Sequence, residues 1–177
     1  MRIQTWDSGF VRARRADVHP FFALPPEEYG QWWPGLRSQK LADGRVRWQL
    51  RPPGRWRRRH RINVEVVKVR PDLGVNYRFT GDLVGDAEVF YLDEPTGAVI
   101  GYLLHVDSVG GNRRGRRLER QHRAVAREAL NAIKDRCEAG RIAGAEPDPQ
   151  LLADQIAATA AFKAGVEAHA RKMAERA

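Results

Sequence analysis

The sequence predicts an α+β fold: a seven-stranded curved antiparallel sheet around a long C-terminal helix, with two short helices after strand 1 and an extra C-terminal helix. Three observations predict it. Segments of period-2 alternation, cut by turn signals, fill the first two-thirds of the chain. The hydrophobic period turns helical near Arg113. Between the first strand and the rest, Pro20, Pro25 and Pro26 interrupt a stretch too broken for one long element.

Thr5 to Arg14 reads as the first strand, and Asp17 to Gly30 as two short helices joined at the proline pair, with Asp17 as a cap. Pro34-Gly35 then turns into the second strand. Val46, Trp48 and Leu50 alternate with Arg47 and Gln49. Ile62, Val64 and Val66 alternate with Asn63 and Glu65, and Val75, Tyr77 and Phe79 with Asn76 and Arg78. This is the pattern of antiparallel strands with one covered face and one wet face. Asp43-Gly44, Pro52-Pro53-Gly54, Pro71-Asp72-Leu73-Gly74 and Thr80-Gly81-Asp82 supply the corners. Leu83 to Asp93 and Ala98 to Ser108 form a long hairpin about Pro95-Thr96-Gly97, which sets Tyr91 opposite Ile100 and Val89 opposite Tyr102. Leu118, His122, Val125, Ala129, Ile133 and Cys137 then follow one another at steps of three and four, a single stripe on a long helix. Only that helix is long enough to cover the sheet's apolar face. Curling the sheet around it leaves a space between them.

The chain has 177 residues, about one domain, and Lys plus Arg outnumber Asp plus Glu by 31 to 22, a net charge of +9. The sequence pI near 10.4 attracts anions, although arginine-rich composition alone also produces it. No apolar run approaches the roughly 20 residues of a membrane span. Met1 to Phe10 lacks the apolar core and cleavage site of a secretory signal, so a cytoplasmic location is expected. One cysteine, Cys137, excludes an internal disulfide framework and a multi-cysteine zinc site. His19, His60, His105, His122 and His169 show no metal-ligand spacing, and neither a metal nor a cofactor is expected.

The element order, with Tyr29-Gly30-Gln31-Trp32-Trp33-Pro34-Gly35, Gly81-Asp82-Leu83-Val84-Gly85 and the closing helix, resembles the SRPBCC superfamily. This START-like, helix-grip group includes polyketide cyclase/dehydrase-like proteins and lipid-transfer domains, and the similarity runs from about residue 3 to 138. The resemblance implies a deep hydrophobic cavity for a lipid-, sterol- or polyketide-like ligand. It implies no particular reaction.

Alternation names the expected lining: Trp33, Trp48, Ile62, Val64, Tyr77, Phe79, Gly85, Ala87, Val89, Tyr91, Tyr102, Leu104, Leu118, His122 and Val125. Gly85 and Ala87 either leave room for a ligand or let the helix pack closely. Trp32 and Trp33 form a mouth or staple the short helices to the sheet. His60, His122 and Tyr102 are the candidates for proton transfer, with histidine as base and tyrosine as donor. No carboxylate is expected on the inner register to orient a histidine, which favours a binding protein over a polyketide cyclase-like lyase or isomerase. Arg58, Arg113, Arg114 and Arg117 are candidates for holding an anion beside the long helix's N-terminus. Alternatively, the arginine patches as a whole would dock an anionic macromolecule, or they are a solvated basic face. Arg55 to Arg61 surround a single tryptophan, a poor platform for single-stranded nucleic acid, so nucleic acid is not an expected partner.

Residues 1–140 are thus expected to form the ligand-binding domain, 141–149 a linker and 150–177 a helical extension. Asp148 and Pro149 suit the start of that last helix, and Leu152, Ile156, Thr159, Phe162, Val166 and Met173 give it an apolar stripe. Phe90, Leu92, Val99 and Leu103 form an apolar patch on the outer sheet face. The extension is expected to cover it, from its own chain or from a second copy as a homodimer.

Overall fold

The computed structural model describes residues 1–51, 60–142 and 149–174. The elements run β1 (Arg2–Val11), α1 (Arg15–Ala23), a 3-10 helix (Pro26–Gln31), β2 (Leu36–Lys40), β3 (Val46–Leu50), β4 (His60–Arg70), β5 (Gly74–Gly81), β6 (Leu83–Glu94), β7 (Gly97–Ser108), α2 (Asn112–Cys137) and α3 (Pro149–Ala174). All seven strands join one antiparallel sheet in the order β1-β7-β6-β5-β4-β3-β2. The expected order of elements is the observed one.

Local chemistry explains the boundaries. β1 starts earlier than expected, because Arg2 already pairs with Asp107, and it stops where Val11 meets Ala98 at the start of β7. Arg14 belongs to the next element: Asp17 Oδ2 accepts the Arg14 backbone N–H at 3.2 Å, so Asp17 steadies the helix start from inside its first turn. The second short helix is 3-10 rather than α, with Pro26 at its first position. The β6–β7 hairpin has the expected register, with Val89 opposite Tyr102 and Tyr91 opposite Ile100. A bulge at Val66 to Lys68 bends β4 and helps the sheet curl.

α2 lies inside that curl with its stripe turned inward, Leu118, Val125 and Ile133 being fully enclosed. It is clamped along β1. The buried Asp7 carboxylate accepts from Arg123 Nε at 3.1 Å and Arg127 Nε at 2.9 Å. Further on, Lys134 Nζ donates to the Phe10 carbonyl at 3.2 Å, and the Arg12 backbone N–H donates to Glu138 Oε1 at 2.8 Å. On the opposite side, the Trp33 indole N–H donates to the Val125 carbonyl at 2.8 Å.

α3 touches β6 and β7, and its Asp154 pairs with Arg14 at 3.1 Å. Of its expected stripe, Ile156 is the side chain the structure describes, and it is 59% exposed. On the outer sheet face Leu92 stays exposed, as does Trp6 on β1. The core of the expected linker, residues 143–148, lies outside the described residues.

Gly85 has a reason that alternation does not supply. Its φ is +144°, and a Cβ there would stand 2.3 Å from the His105 carbonyl oxygen of β7. The neighbouring strand, rather than room for a ligand or for the helix, requires the missing side chain. Gly85→Ala should therefore cost about 1–3 kcal/mol, seen as a lower thermal midpoint by circular dichroism. An unchanged midpoint would return the glycine to a space-making role.

Candidate functional site

The interior of the grip is where alternation points the lining residues, and all of them face inward except that Gly85 is only half-buried. Trp33, Trp48, Ile62, Val64, Tyr77, Phe79, Ala87, Val89, Tyr91, Tyr102, Leu104, Leu118, His122 and Val125 are each 5% exposed or less. Their aromatic members pack ring against ring. Trp48 packs 5.4 Å from the rings of both Tyr29 and Trp33, and 5.9 Å from Phe79. Tyr29 and Tyr77 share a hydrogen bond of 2.8 Å between their hydroxyls. Phe22, Tyr29, Trp32 and Trp33, carried by α1 and the turn after it, close the interior from one side. Trp32 and Trp33 are thus both staples.

Within this packed interior lies a band of polar groups. Tyr102 Oη and His122 Nε2 are 2.7 Å apart. The other His122 nitrogen, Nδ1, is enclosed without a partner. So are both side-chain amide atoms of Gln121, Thr5 Oγ1 and His60 Nε2. Thr5, His60, Gln121 and His122 are all buried, at 7%, 3%, 2% and 2% exposure. Buried polar groups are nearly always paired, so these four side chains, with the unpartnered Trp32 Nε1 on the aromatic side as a fifth, mark an unusual core.

Burial, reinforced by His60, depresses the His122 pKa to about 4, against the pull of Asp7. His60 is likewise held at about 4, by burial first and then by Arg117 and Arg114, while Asp82 acts the other way. Burial raises the Tyr102 phenol well above its ordinary value. The interior is therefore a neutral, hydrogen-bonding environment, in which an imidazole accepts rather than carries charge.

One expectation is corrected here. A carboxylate does lie on the inner register: Asp7, whose charge is felt by both His122 and Tyr102. Its oxygens are taken by Arg123 and Arg127, so it fastens the helix rather than orienting the imidazole. Gln121 and Thr5 also escaped sequence reasoning. Thr5 keeps the same strand parity as Ile3, Asp7 and Val11, and Gln121 sits beside the stripe position of His122.

Of the candidate anion-holding arginines, Arg58 lies outside the described residues. Arg113 is exposed, and Arg114 pairs with Asp82. Arg117 is half-buried with its Nε enclosed and unpartnered. At the far end of α2 a surface cleft of about 790 Å³ lies between α1, the α2 C-terminus and α3. Its Arg14, Asp17 and Asp154 already pair among themselves.

No family model matches the sequence, and no curated protein matches it. Among solved structures, the Zhui aromatase/cyclase from Streptomyces sp. R1128 aligns with a TM-score of 0.61 at 15% identity, over 82% of this chain and 100% of that one. A START superfamily protein from Mycobacterium smegmatis aligns at 0.57 and 15% identity, over 76% of this chain and 97% of that one. The chain has the START-like helix-grip fold. A third match, the di-domain ARO/CYC StfQ from the steffimycin biosynthetic pathway, aligns at 0.57 and 14% identity over 78% of this chain and 52% of that one. This START-like chain therefore spans about half the length of that protein. Among the described residues, no helix is long and apolar enough to cross a membrane.

The two buried imidazoles of this helix-grip domain make its stability depend on pH. An unfolded chain protonates its histidines near pH 6.5, whereas folded His60 and His122 refuse the proton until about 4. Between those values the unfolded state binds the extra protons, so stability falls as the pH drops from about 6.5 toward 4 and then levels. Histidine ring NMR should show these two imidazoles unchanged down to about pH 5. A His122 midpoint near 6.5 would place that ring in water instead.

Proposed function

We propose that the protein binds a small amphipathic molecule inside the grip, between the curved sheet and α2, with lipid-, sterol- or polyketide-like ring or chain character. One observation carries this reading: Thr5, His60, Gln121 and His122 bring unpartnered polar atoms into the apolar core. Each such atom costs about 1–3 kcal/mol unless something pairs with it. Leucine at position 121 would fill similar space without that cost. A guest with a hydrogen-bonding group recovers the loss, and its apolar remainder replaces contacts the core side chains make with one another. The structural neighbours, a START superfamily protein and the Zhui aromatase/cyclase, support the same reading.

Room for the guest comes from the aromatic side of the grip. Phe22 belongs to α1, Tyr29 to the 3-10 helix and Trp32 and Trp33 to the turn after it, and Pro25-Pro26 and Gly35, the last with φ +72°, bound the part from Tyr29 to Trp33. The sheet side is a continuous hydrogen-bonded ladder and the β1 side is clamped by Asp7. Displacing that aromatic segment opens the interior by separating ring from ring, and it breaks the Tyr29–Tyr77 and Trp33–Val125 hydrogen bonds.

A second reading rests on the Tyr102–His122 contact of 2.7 Å. A neutral imidazole with a free Nδ1, backed by a phenol, can take a proton from a carbon acid, as a polyketide cyclase-like enzyme would need. Asp7 gives it no orienting partner, so binding is the leading reading.

Titration with the neutral fluorescent probe phenylnaphthylamine tests binding. The expected result is a saturable rise in probe emission with quenching of tryptophan. Gln121→Leu should melt higher, by about 1–3 kcal/mol of added stability, and bind the probe several-fold more weakly. A probe that never saturates, together with a Gln121→Leu variant that melts lower, would make the glutamine structural and reject the reading.

A further inference from the structure

We infer that the guest carries an acidic head group, a carboxylate, sulfonate or phosphate monoester, and that Arg117, His60 and the first turn of α2 hold it. This rests on the reading of the interior as a guest site and adds the chemistry of one end of the guest.

The first turn of α2 contains no acidic residue, and its N-cap, Gly111, contributes no side-chain hydrogen bond. An uncapped helix start favours negative charge. The five arginines at positions 113, 114, 116, 117 and 120 make it more favourable still, and they would repel one another and the helix dipole without an anion. Asp82 answers only part of that demand. Its carboxylate takes Arg114 and the Arg61 backbone N–H.

Arg117 is left over. Its Nε is enclosed and has no hydrogen-bond partner. His60, at the start of β4, is 3% exposed with an unpartnered Nε2, and its chain neighbour Arg61 shares the Asp82 carboxylate with Arg114, which brings the start of β4 to the start of α2. A buried imidazole and a half-buried guanidinium, each with an unused nitrogen, stand beside an Asp82 carboxylate already bonded to Arg114 and the Arg61 N–H, and together they form a receptor for an anion from outside the chain.

The placement also ties this point to the interior. His60 faces inward at the start of β4, and its charge is felt by His122. Arg117 and Gln121 are four residues apart on α2, about 6 Å along the helix. A guest whose neutral polar group meets Gln121 and His122 thus presents its acid at Arg117, at the end of the grip where α2 begins.

Two probes that differ by one sulfonate decide it. Anilinonaphthalene sulfonate and the neutral phenylnaphthylamine are titrated into the full chain, its Arg117→Gln variant and a remote control, Arg37→Gln, which removes the same charge from an exposed site on β2. The expected result is about tenfold tighter binding of the sulfonate by the wild type, a preference lost in Arg117→Gln and kept in Arg37→Gln. Arg117→Gln should melt no lower than the wild type, because the arginine it removes has no partner. Equal affinities for both probes in all three proteins would overturn the head-group assignment and leave the guest site standing. Failure of both probes to bind would remove both. Sodium sulfate that raises the melting temperature of the wild type but not of Arg117→Gln, with no preference between probes, would assign the site to a free inorganic anion and reject the amphipath.

Discussion

A hydrogen-bonding group shut away from water needs a partner, and that requirement is met by many groups of this core and unmet by a few of them. The Trp33 indole finds the Val125 carbonyl, Tyr29 finds Tyr77, and Asp7 finds two arginines. Those pairs hold α2 against the sheet. One helix turn away from the Asp7 clamp, Gln121 has neither amide atom bonded and His122 has one nitrogen idle. The same chain that satisfies buried charge on one face of its helix leaves neutral polar groups open on the next. Selection for stability alone would have filled those positions with aliphatic side chains.

The distribution of fastenings gives the grip a stiff side and a yielding side. Along β1, α2 is tied by Asp7, by the Lys134–Phe10 contact and by Glu138. Across from it, the aromatic segment is joined to the helix through Trp33 and through Arg136, which donates to the Trp32 carbonyl at 3.4 Å. Aromatic rings packed edge to face give up contact area when they turn but break few hydrogen bonds. That side is held by ring contacts together with the Tyr29–Tyr77, Trp33–Val125 and Trp48–Pro26 hydrogen bonds.

Much of this was legible in the residues themselves. Alternation gave the face of each lining side chain, and hairpin counting gave the β6–β7 register to the residue. The helix stripe at Leu118, His122 and Val125 is the buried one. Depth was not legible, because alternation states which way a side chain points and not what it meets. The aromatic packing there follows from Tyr29, Trp32 and Trp33 arriving from a segment whose path no local pattern fixes. Asp7 was missed for a related reason: its role depends on two arginines more than 110 positions away, four apart on a distant helix. Gly85 looked like spare volume, whereas a positive φ against the β7 backbone is what demands it.

The central claim is that polar atoms within the grip belong to a guest. Mass spectrometry under non-denaturing conditions, on protein isolated from its own source without organic additives, tests it most directly. The account expects a species heavier than the bare chain by one small molecule, released on denaturation and negatively charged in water. A population with the mass of the chain alone, in protein that still melts cooperatively, would contradict it.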